Sequence, residues 1–141
     1  MADSKWMKQL NKLDGAVDRE YNPYLPENTI QTISPSLNWI FSKSAGLSYM
    51  EFMLLWGPPK AGKSVVSDAF VSALHAKDPD AIAMKFDTEM REMGHKEKFW
   101  NIDENRYSVY NVNEPQFIFD RLVKDIFPMV EQGMPLKLII I

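Results

Sequence analysis

The feature that most constrains this 141-residue chain is an eight-residue segment, 57–64, that lies between two apolar stretches. It reads Gly-Pro-Pro-Lys-Ala-Gly-Lys-Ser, and the apolar run at 52–56 directly before it predicts a buried strand. Residues 64–75 follow with helical spacing, and the side chains expected to face inward are Val65, Ala69 and Leu74. A strand that ends in a glycine-containing turn and leads into a helix is a unit of parallel α/β folds.

The spacing of glycine, four residues, glycine, lysine and serine is the P-loop pattern. Glycine adopts the backbone angles that turn successive N–H groups toward an anion, and the helix that follows adds the positive end of its dipole. Lys63 is predicted to contact the β- and γ-phosphates of ATP, and the Ser64 hydroxyl to hold Mg²⁺. A glycine-rich turn without a ligand is the alternative. The predicted ATP-binding residues are Gly57, Pro58, Pro59, Lys60, Ala61, Gly62, Lys63 and Ser64.

A second chemical signal stands at residues 86–89, Phe-Asp-Thr-Glu, where the next predicted strand ends. The carboxyl ends of parallel strands line the ligand crevice of α/β sheets, so these carboxylates are expected to face the phosphates. Glu89 is therefore a candidate to orient or deprotonate an attacking water. A helix cap or a solvated loop acid is the alternative for this residue.

The rest of the sequence alternates between strand-like and helix-like patterns. Apolar runs predict further strands at 81–86, 107–112 and 136–141, and a short helix is predicted at 95–100. Pro115 opens a long predicted helix with a buried stripe formed by Phe119, Leu122, Val123 and Ile126. This alternation predicts an α/β fold with a mainly parallel sheet flanked by helices on both faces.

The N-terminal residues, 1–28, are predicted to be a separate part that precedes the core at 29–141. Residues 4–18 have the spacing of a short amphipathic helix, and two prolines at 21–28 indicate an extended linker. An edge strand is then predicted at 30–33. Ser34 or Ser36 is expected to cap a helix that ends near Gly46.

Composition limits the cellular compartments and the kinds of binding partner that the sequence predicts. The chain has no cysteine, which excludes disulfides and thiolate metal sites. The net charge is −3 and the sequence has no basic stripe, so it does not predict binding to a nucleic acid backbone by electrostatic attraction alone. The N-terminus lacks the layout of a signal peptide, and no apolar run is long enough to span a bilayer. We therefore expect a cytoplasmic protein without membrane contact.

The most hydrophobic segment of the chain, Leu-Lys-Leu-Ile-Ile-Ile at 136–141, is also its last. Such a run is expected at the centre of a sheet, with chain continuing beyond it. P-loop enzymes carry a Walker-B aspartate after a strand of this kind to hold the Mg²⁺ shell. We therefore expect that the sequence is the N-terminal part of a longer protein, interrupted at this strand.

The order of strand, phosphate loop, helix, strand, Asp-Thr-Glu and late apolar strand resembles the RecA family of recombination ATPases. Within that family it is most similar to the recombinases of tailed phages that resemble T4. The resemblance covers roughly 29–141 and implies a RecA-like P-loop core, with Glu89 as the catalytic residue that activates water. It departs at Lys96, where the family often has an aromatic residue that stacks on adenine, so it leaves the base preference open.

The resemblance also implies partners. It predicts a DNA-dependent ATPase that exchanges homologous strands in recombination and repair, with ATP and Mg²⁺ as cofactors. Single-stranded DNA would bind mostly through regions outside this chain, and copies would assemble into a helical filament through the N-terminal helix and linker. That helix could equally fold onto its own domain.

Two other functions stay open from the sequence. One is a RecA-fold motor such as a replicative helicase, which would need a hexameric ring and a different N-terminal domain. The other is a nucleotide-binding interaction module that does not hydrolyse ATP, in which the Walker-B aspartate and the DNA-binding loops are dispensable.

Overall fold

The computed structural model describes residues 22–42, 46–49, 51–89 and 99–141. Its strands are β1 (Thr29–Ile30), β2 (Leu47–Ser48), β3 (Ile82–Asp87), β4 (Tyr107–Asn111) and β5 (Leu136–Ile140). Its helices are α1 (Pro35–Ser42), α2 (Lys63–Lys77), α3 (Pro115–Arg121) and α4 (Phe127–Glu131), and a π-helical segment, Leu122–Ile126, joins α3 to α4.

The central sheet has three parallel strands in the order β4-β3-β5. Alternate residues of β3 point to opposite faces, and each face is packed against helices. Ala83 belongs to a core cluster with Phe70, Val71 and Leu74 of α2. Met84 and Phe86 belong to a second cluster with residues of α3 and the π-helical segment. The prediction of an α/β fold with a parallel sheet between helices is therefore confirmed.

The helix after the glycine-containing segment spans Lys63–Lys77, two residues longer at its C-terminal end than the spacing predicts. Ala69 and Leu74 are buried, as expected. Val65 was predicted to face inward but is 53% exposed, because its neighbour Val66 occupies the side of the first turn that packs against the core.

The long helix that begins at Pro115 changes its winding in the middle. Pro128 has no N–H to donate to the carbonyl four residues earlier, and its ring crowds that carbonyl. The N–H of Phe127 bonds instead to the carbonyl of Leu122, five residues back, as in a π-helix. The buried stripe is Ile118, Leu122 and Ile126. The predicted stripe is wrong at Phe119 and Val123, which are 61% and 60% exposed.

The prediction of a buried strand at 52–56 is also wrong. These residues form no strand, and Phe52, Leu54 and Trp56 are each at least 90% exposed. The physical reason is the missing partner: within the described ranges, no backbone group hydrogen-bonds to residues 52–56, and the outer edge of β5 has no neighbouring strand. An apolar run becomes a strand only where another strand satisfies its N–H and C=O groups.

The segment before the loop is held by an antiparallel pair, β1 with β2. An edge strand was predicted at 30–33, but the strand spans Thr29–Ile30. It ends there because the N–H of Thr32 donates to the Asn38 side chain and not to a neighbouring strand. Residues 26–28 form a 3₁₀ turn where an extended linker was expected. Ser34 caps α1 by accepting a hydrogen bond from the Leu37 N–H. The predicted helix at 4–18 lies outside the described residues.

Gly46 is required where β2 begins. Its φ is +89°, and a Cβ there would lie 2.3 Å from the carbonyl oxygen of Ile30. A side chain cannot fit against backbone at that distance, so this glycine permits the close approach of β2 to β1. Of the short helix predicted at 95–100, only Phe99 and Trp100 are described, and both are helical.

Candidate functional site

The segment 57–64 forms a compact loop that leads directly into α2. The N–H of Ala61 donates to the carbonyl of Pro58 across 3.2 Å, which closes a turn. Lys60 and Gly62 both have left-handed backbone angles, with φ of 65° and 88°. Two left-handed residues so close together curl the backbone, and curled backbone of this kind collects N–H groups around an anion.

The N-terminus of α2 offers unpaired donors at the end of this loop. Gly62 is the N-cap and has no side chain to bond the first N–H groups of the helix. Among the described residues, no group accepts a hydrogen bond from the N–H groups at 62–65. Such groups need a partner, and together with the helix dipole they favour an anion.

The ammonium group of Lys63 bends back over the loop. Its Nζ donates to the carbonyl of Gly57 across 3.0 Å and to that of Pro58 across 3.2 Å. Both acceptors are neutral backbone oxygens from the same loop. A phosphate that enters the loop would offer the ammonium group charged oxygens at the same place, which are stronger partners.

A cavity of about 870 Å³ joins the loop to the end of β3. Lys63 and Ser64 lie on its lining, as do Asp87, Thr88 and Glu89. The N–H of Glu89 donates to Oδ1 of Asp87 across 3.2 Å, which holds the short segment after β3 in a turn. The structure thus brings Lys63 and Ser64 to the same cavity as Glu89, while the other residues predicted to bind phosphate, at 57–62, do not line it.

Some of the lining residues carry oxygen atoms that could hold a cation. Mg²⁺ takes oxygen ligands and is bound through one or two carboxylates together with phosphates and water. The Ser64 hydroxyl and the carboxylates of Asp87 and Glu89 are donors of that kind. In the described part of the chain, no three His, Cys, Asp or Glu side chains cluster as a metal cage.

The sequence reasoning missed a buried ion pair beneath the loop. Nζ of Lys85 lies 3.5 Å from Oδ1 of Asp68, and the two side chains are 9% and 4% exposed. Lys85 lines the cavity as well. The available signal was a charged residue inside each of two elements predicted to pack against each other, a pattern that needs a partner for each charge.

The opposite end of α2 holds a different set of polar groups. The guanidinium of Arg106 bonds to the carboxylate of Asp103 and to the carbonyl of Asp78. Nδ1 of His75 accepts a hydrogen bond from the N–H of Asp103. Burial, followed by the positive charge of Arg106, lowers the pKa of His75, while the bond from Arg106 lowers the pKa of Asp103.

In the described ranges, no helix combines the length and the apolar character needed to cross a bilayer. No protein-family model matches the chain, and no characterised protein matches it either.

Proposed function

We propose that this chain binds ATP together with Mg²⁺ in the loop at 57–64. The observation that carries the proposal is the start of α2, where the N–H groups of 62–65 have no acceptor among the described residues. The ammonium group of Lys63 lies over the same loop on two neutral carbonyls. A polyphosphate supplies acceptors for the helix N–H groups and gives the ammonium group charged partners in place of neutral carbonyls.

The roles of the individual residues follow from where they lie. The loop N–H groups and Lys63 bind the phosphates, and the Ser64 hydroxyl takes one position on Mg²⁺. The bound cation would neutralise charge that develops on the phosphates. Glu89 lines the same cavity from the end of β3, and in a chain that hydrolyses ATP it orients the attacking water.

A series of ligands that differ only in phosphate number tests this assignment. Calorimetric titrations with ATP, ADP, AMP and inorganic triphosphate are expected to rank affinity by phosphate number. ATP should bind about 100-fold more tightly than AMP, because each charge-assisted contact contributes about 1.5–3 kcal/mol. Equal affinities for AMP and ATP would place recognition on the base and remove the phosphate loop from its role.

We further propose that the nucleotide site serves a recombinase of the RecA type. The support is the resemblance in motif order, together with a parallel sheet whose central strand, β3, ends at the Asp-Thr-Glu segment. In this function, single-stranded DNA stimulates hydrolysis, and copies of the protein assemble along the DNA. Electron microscopy with a slowly hydrolysed ATP analogue separates filaments from the hexameric rings of a helicase.

Glu89→Gln separates a hydrolysing enzyme from a nucleotide-binding module. The change keeps the volume of the side chain but removes the carboxylate, so ATP binding should persist while DNA-stimulated turnover falls about 100-fold or more. Glu131→Gln, at an exposed position of α4, is the matched control and should keep full turnover. Turnover that survives in Glu89→Gln would assign water activation to another group.

A further inference from the structure

The buried ion pair between Asp68 and Lys85 links the two elements that build the nucleotide site. Asp68 belongs to α2, which begins in the loop, and Lys85 belongs to β3, which ends at the carboxylates. The two side chains are among the least exposed charged groups of the described chain. The pair therefore joins helix to strand, and one of its two members, Lys85, lines the cavity.

Each partner stands in register with a residue of the proposed site. Asp68 follows Ser64 by four residues, so both lie on the same face of α2. Lys85 precedes Asp87 by two residues, so both point to the same face of the sheet. The Ser67 hydroxyl also donates to the carbonyl of Ser64 across 2.9 Å. Two contacts thus hold the first turns of α2 behind the serine proposed to bind Mg²⁺.

Stability alone does not account for this pair. Removing two charges from water carries a large desolvation cost, and apolar residues of similar volume often give an equal or more stable core. The 3.5 Å separation is at the outer limit of a hydrogen bond, so the geometry is not one that maximises the attraction. The pair joins one position of α2 to one position of β3, a contact that restricts how the helix can turn against the strand.

We propose that Asp68 and Lys85 are positioning residues that hold the Ser64 hydroxyl at the distance from the end of β3 that a phosphate-bound Mg²⁺ requires. This inference rests on the proposed function. The loop N–H groups and Lys63 bind phosphate without the metal. The pair acts only on the part of the affinity that the metal adds.

The test replaces the pair by uncharged side chains and measures ATP affinity with Mg²⁺ and with a chelator. Asp68→Leu with Lys85→Met keeps the volume and removes both charges together, so neither charge is left buried alone. Asp68→Asn with Lys85→Gln is a second neutral pair that retains hydrogen bonds. The matched control is Asp120→Leu with Lys124→Met, which removes an exposed ion pair of 2.9 Å. Thermal melting identifies which variants are folded.

In the wild type, Mg²⁺ is expected to raise ATP affinity about tenfold, and the control double variant should show the same gain from Mg²⁺. The folded Asp68/Lys85 double variants should keep their affinity in chelator within about threefold and lose the gain from Mg²⁺. A full Mg²⁺ gain in either folded double variant would overturn the inference and leave the proposed ATP site intact. A wild type that binds no ATP would overturn both, and that failure is recognised before any variant is made.

Discussion

The two ends of α2 each bring a lysine ammonium group onto backbone carbonyls, but with opposite consequences. At the N-terminal end, Lys63 bonds to two carbonyls five and six residues away within one loop. At the C-terminal end, Lys77 bonds to the carbonyls of Pro26, Glu27 and Thr29, which lie 48–51 residues away. The Lys77 ammonium group also lies 5.1 Å from the centre of the Tyr49 ring.

The sequence separation of these contacts differs between the proposed nucleotide site and the end of α2 that contacts distant parts of the chain. Contacts within one short loop join residues that are already close in sequence, so a ligand can replace them at a small cost in free energy. Contacts across about 50 residues hold together parts of the chain that would otherwise separate, and losing them exposes backbone that is already ordered. The Lys63 contacts at the N-terminal end of α2 are therefore suited to replacement by a ligand, and the Lys77 contacts at the C-terminal end are suited to stabilise the fold.

The largest effect expected is on nucleotide affinity. Lys63→Ala should weaken ATP binding about 100-fold, because it removes the charged donor of the loop. The melting temperature should change little, since the lost contacts are local. Lys77→Met should leave ATP affinity within about threefold of the wild type. Fluorescence titration of both variants checks the comparison, and equal losses of affinity would erase the distinction between the two ends.

The second effect is on stability, and here the Lys77 variant is expected to be the one that changes. Lys77→Met leaves three ordered carbonyls without a charged donor, so it should lower the free energy of unfolding by about 2 kcal/mol. Lys124→Met, at an exposed ion pair, is the matched control and should cost less than about 0.5 kcal/mol. Urea unfolding measures both values. A Lys77 variant as stable as the control would show that the long-range contacts contribute nothing.

A third, smaller effect concerns the backbone of the loop. Gly62 has φ of +88°, so Gly62→Ala should cost about 1–2 kcal/mol and weaken ATP binding, even though the added Cβ meets no atom of the described residues within 4 Å apart from the adjoining backbone. Gly57→Ala is the control, because its φ is not left-handed and the added Cβ meets only Ala61 at 3.4 Å. Unfolding curves that rank Gly57→Ala as the more damaging change would contradict this loop geometry.

The smallest effect is a pH dependence at the C-terminal end. The lowered pKa of His75 means that the folded chain binds this proton more weakly than the unfolded chain does, so protonation favours unfolding. Stability should be complete above the ordinary histidine pKa of 6.5 and should decline as the pH falls below it. The contribution of Asp103 is lost only at pH values below its ordinary pKa of 3.8.

Melting temperatures between pH 7.5 and 5 in a His95→Gln background isolate this effect, because the chain has only two histidines. The same scan with His75→Gln added should be flatter over that range. An equal decline in both proteins would assign the pH dependence to other groups.

The hydrophobic pattern correctly predicted the strands of the central sheet. It failed where hydrogen bonding, and not packing alone, decides whether a strand forms. The strands at 81–86, 107–112 and 136–141 differ from β3, β4 and β5 by one residue at most at each end. The equally apolar run at 52–56 is not a strand, because a hydrophobic pattern says nothing about whether a hydrogen-bonding neighbour exists.

Two further differences have local causes. The buried stripe of the long helix recurs at every fourth residue, Ile118, Leu122 and Ile126, and the wider turn of the π-helical segment at Leu122–Ile126 suits this spacing. The helix after the loop was predictable from the change to helical spacing at Ser64, while the phosphate-binding role of the loop residues stays a prediction. The Asp68–Lys85 pair was not predictable, because its partners lie 17 residues apart in elements whose relative rotation the sequence does not state.

Backbone amide NMR during titration with Mg²⁺ and inorganic triphosphate tests the central claim most directly, since this ligand has no base or sugar. The amide signals of residues 60–65 should shift in a saturable way, and those of residues 75–80 at the opposite end of α2 should stay in place. Amide signals at 60–65 that do not respond, or shifts spread evenly over both ends of the helix, would contradict the assignment of a phosphate site to this loop.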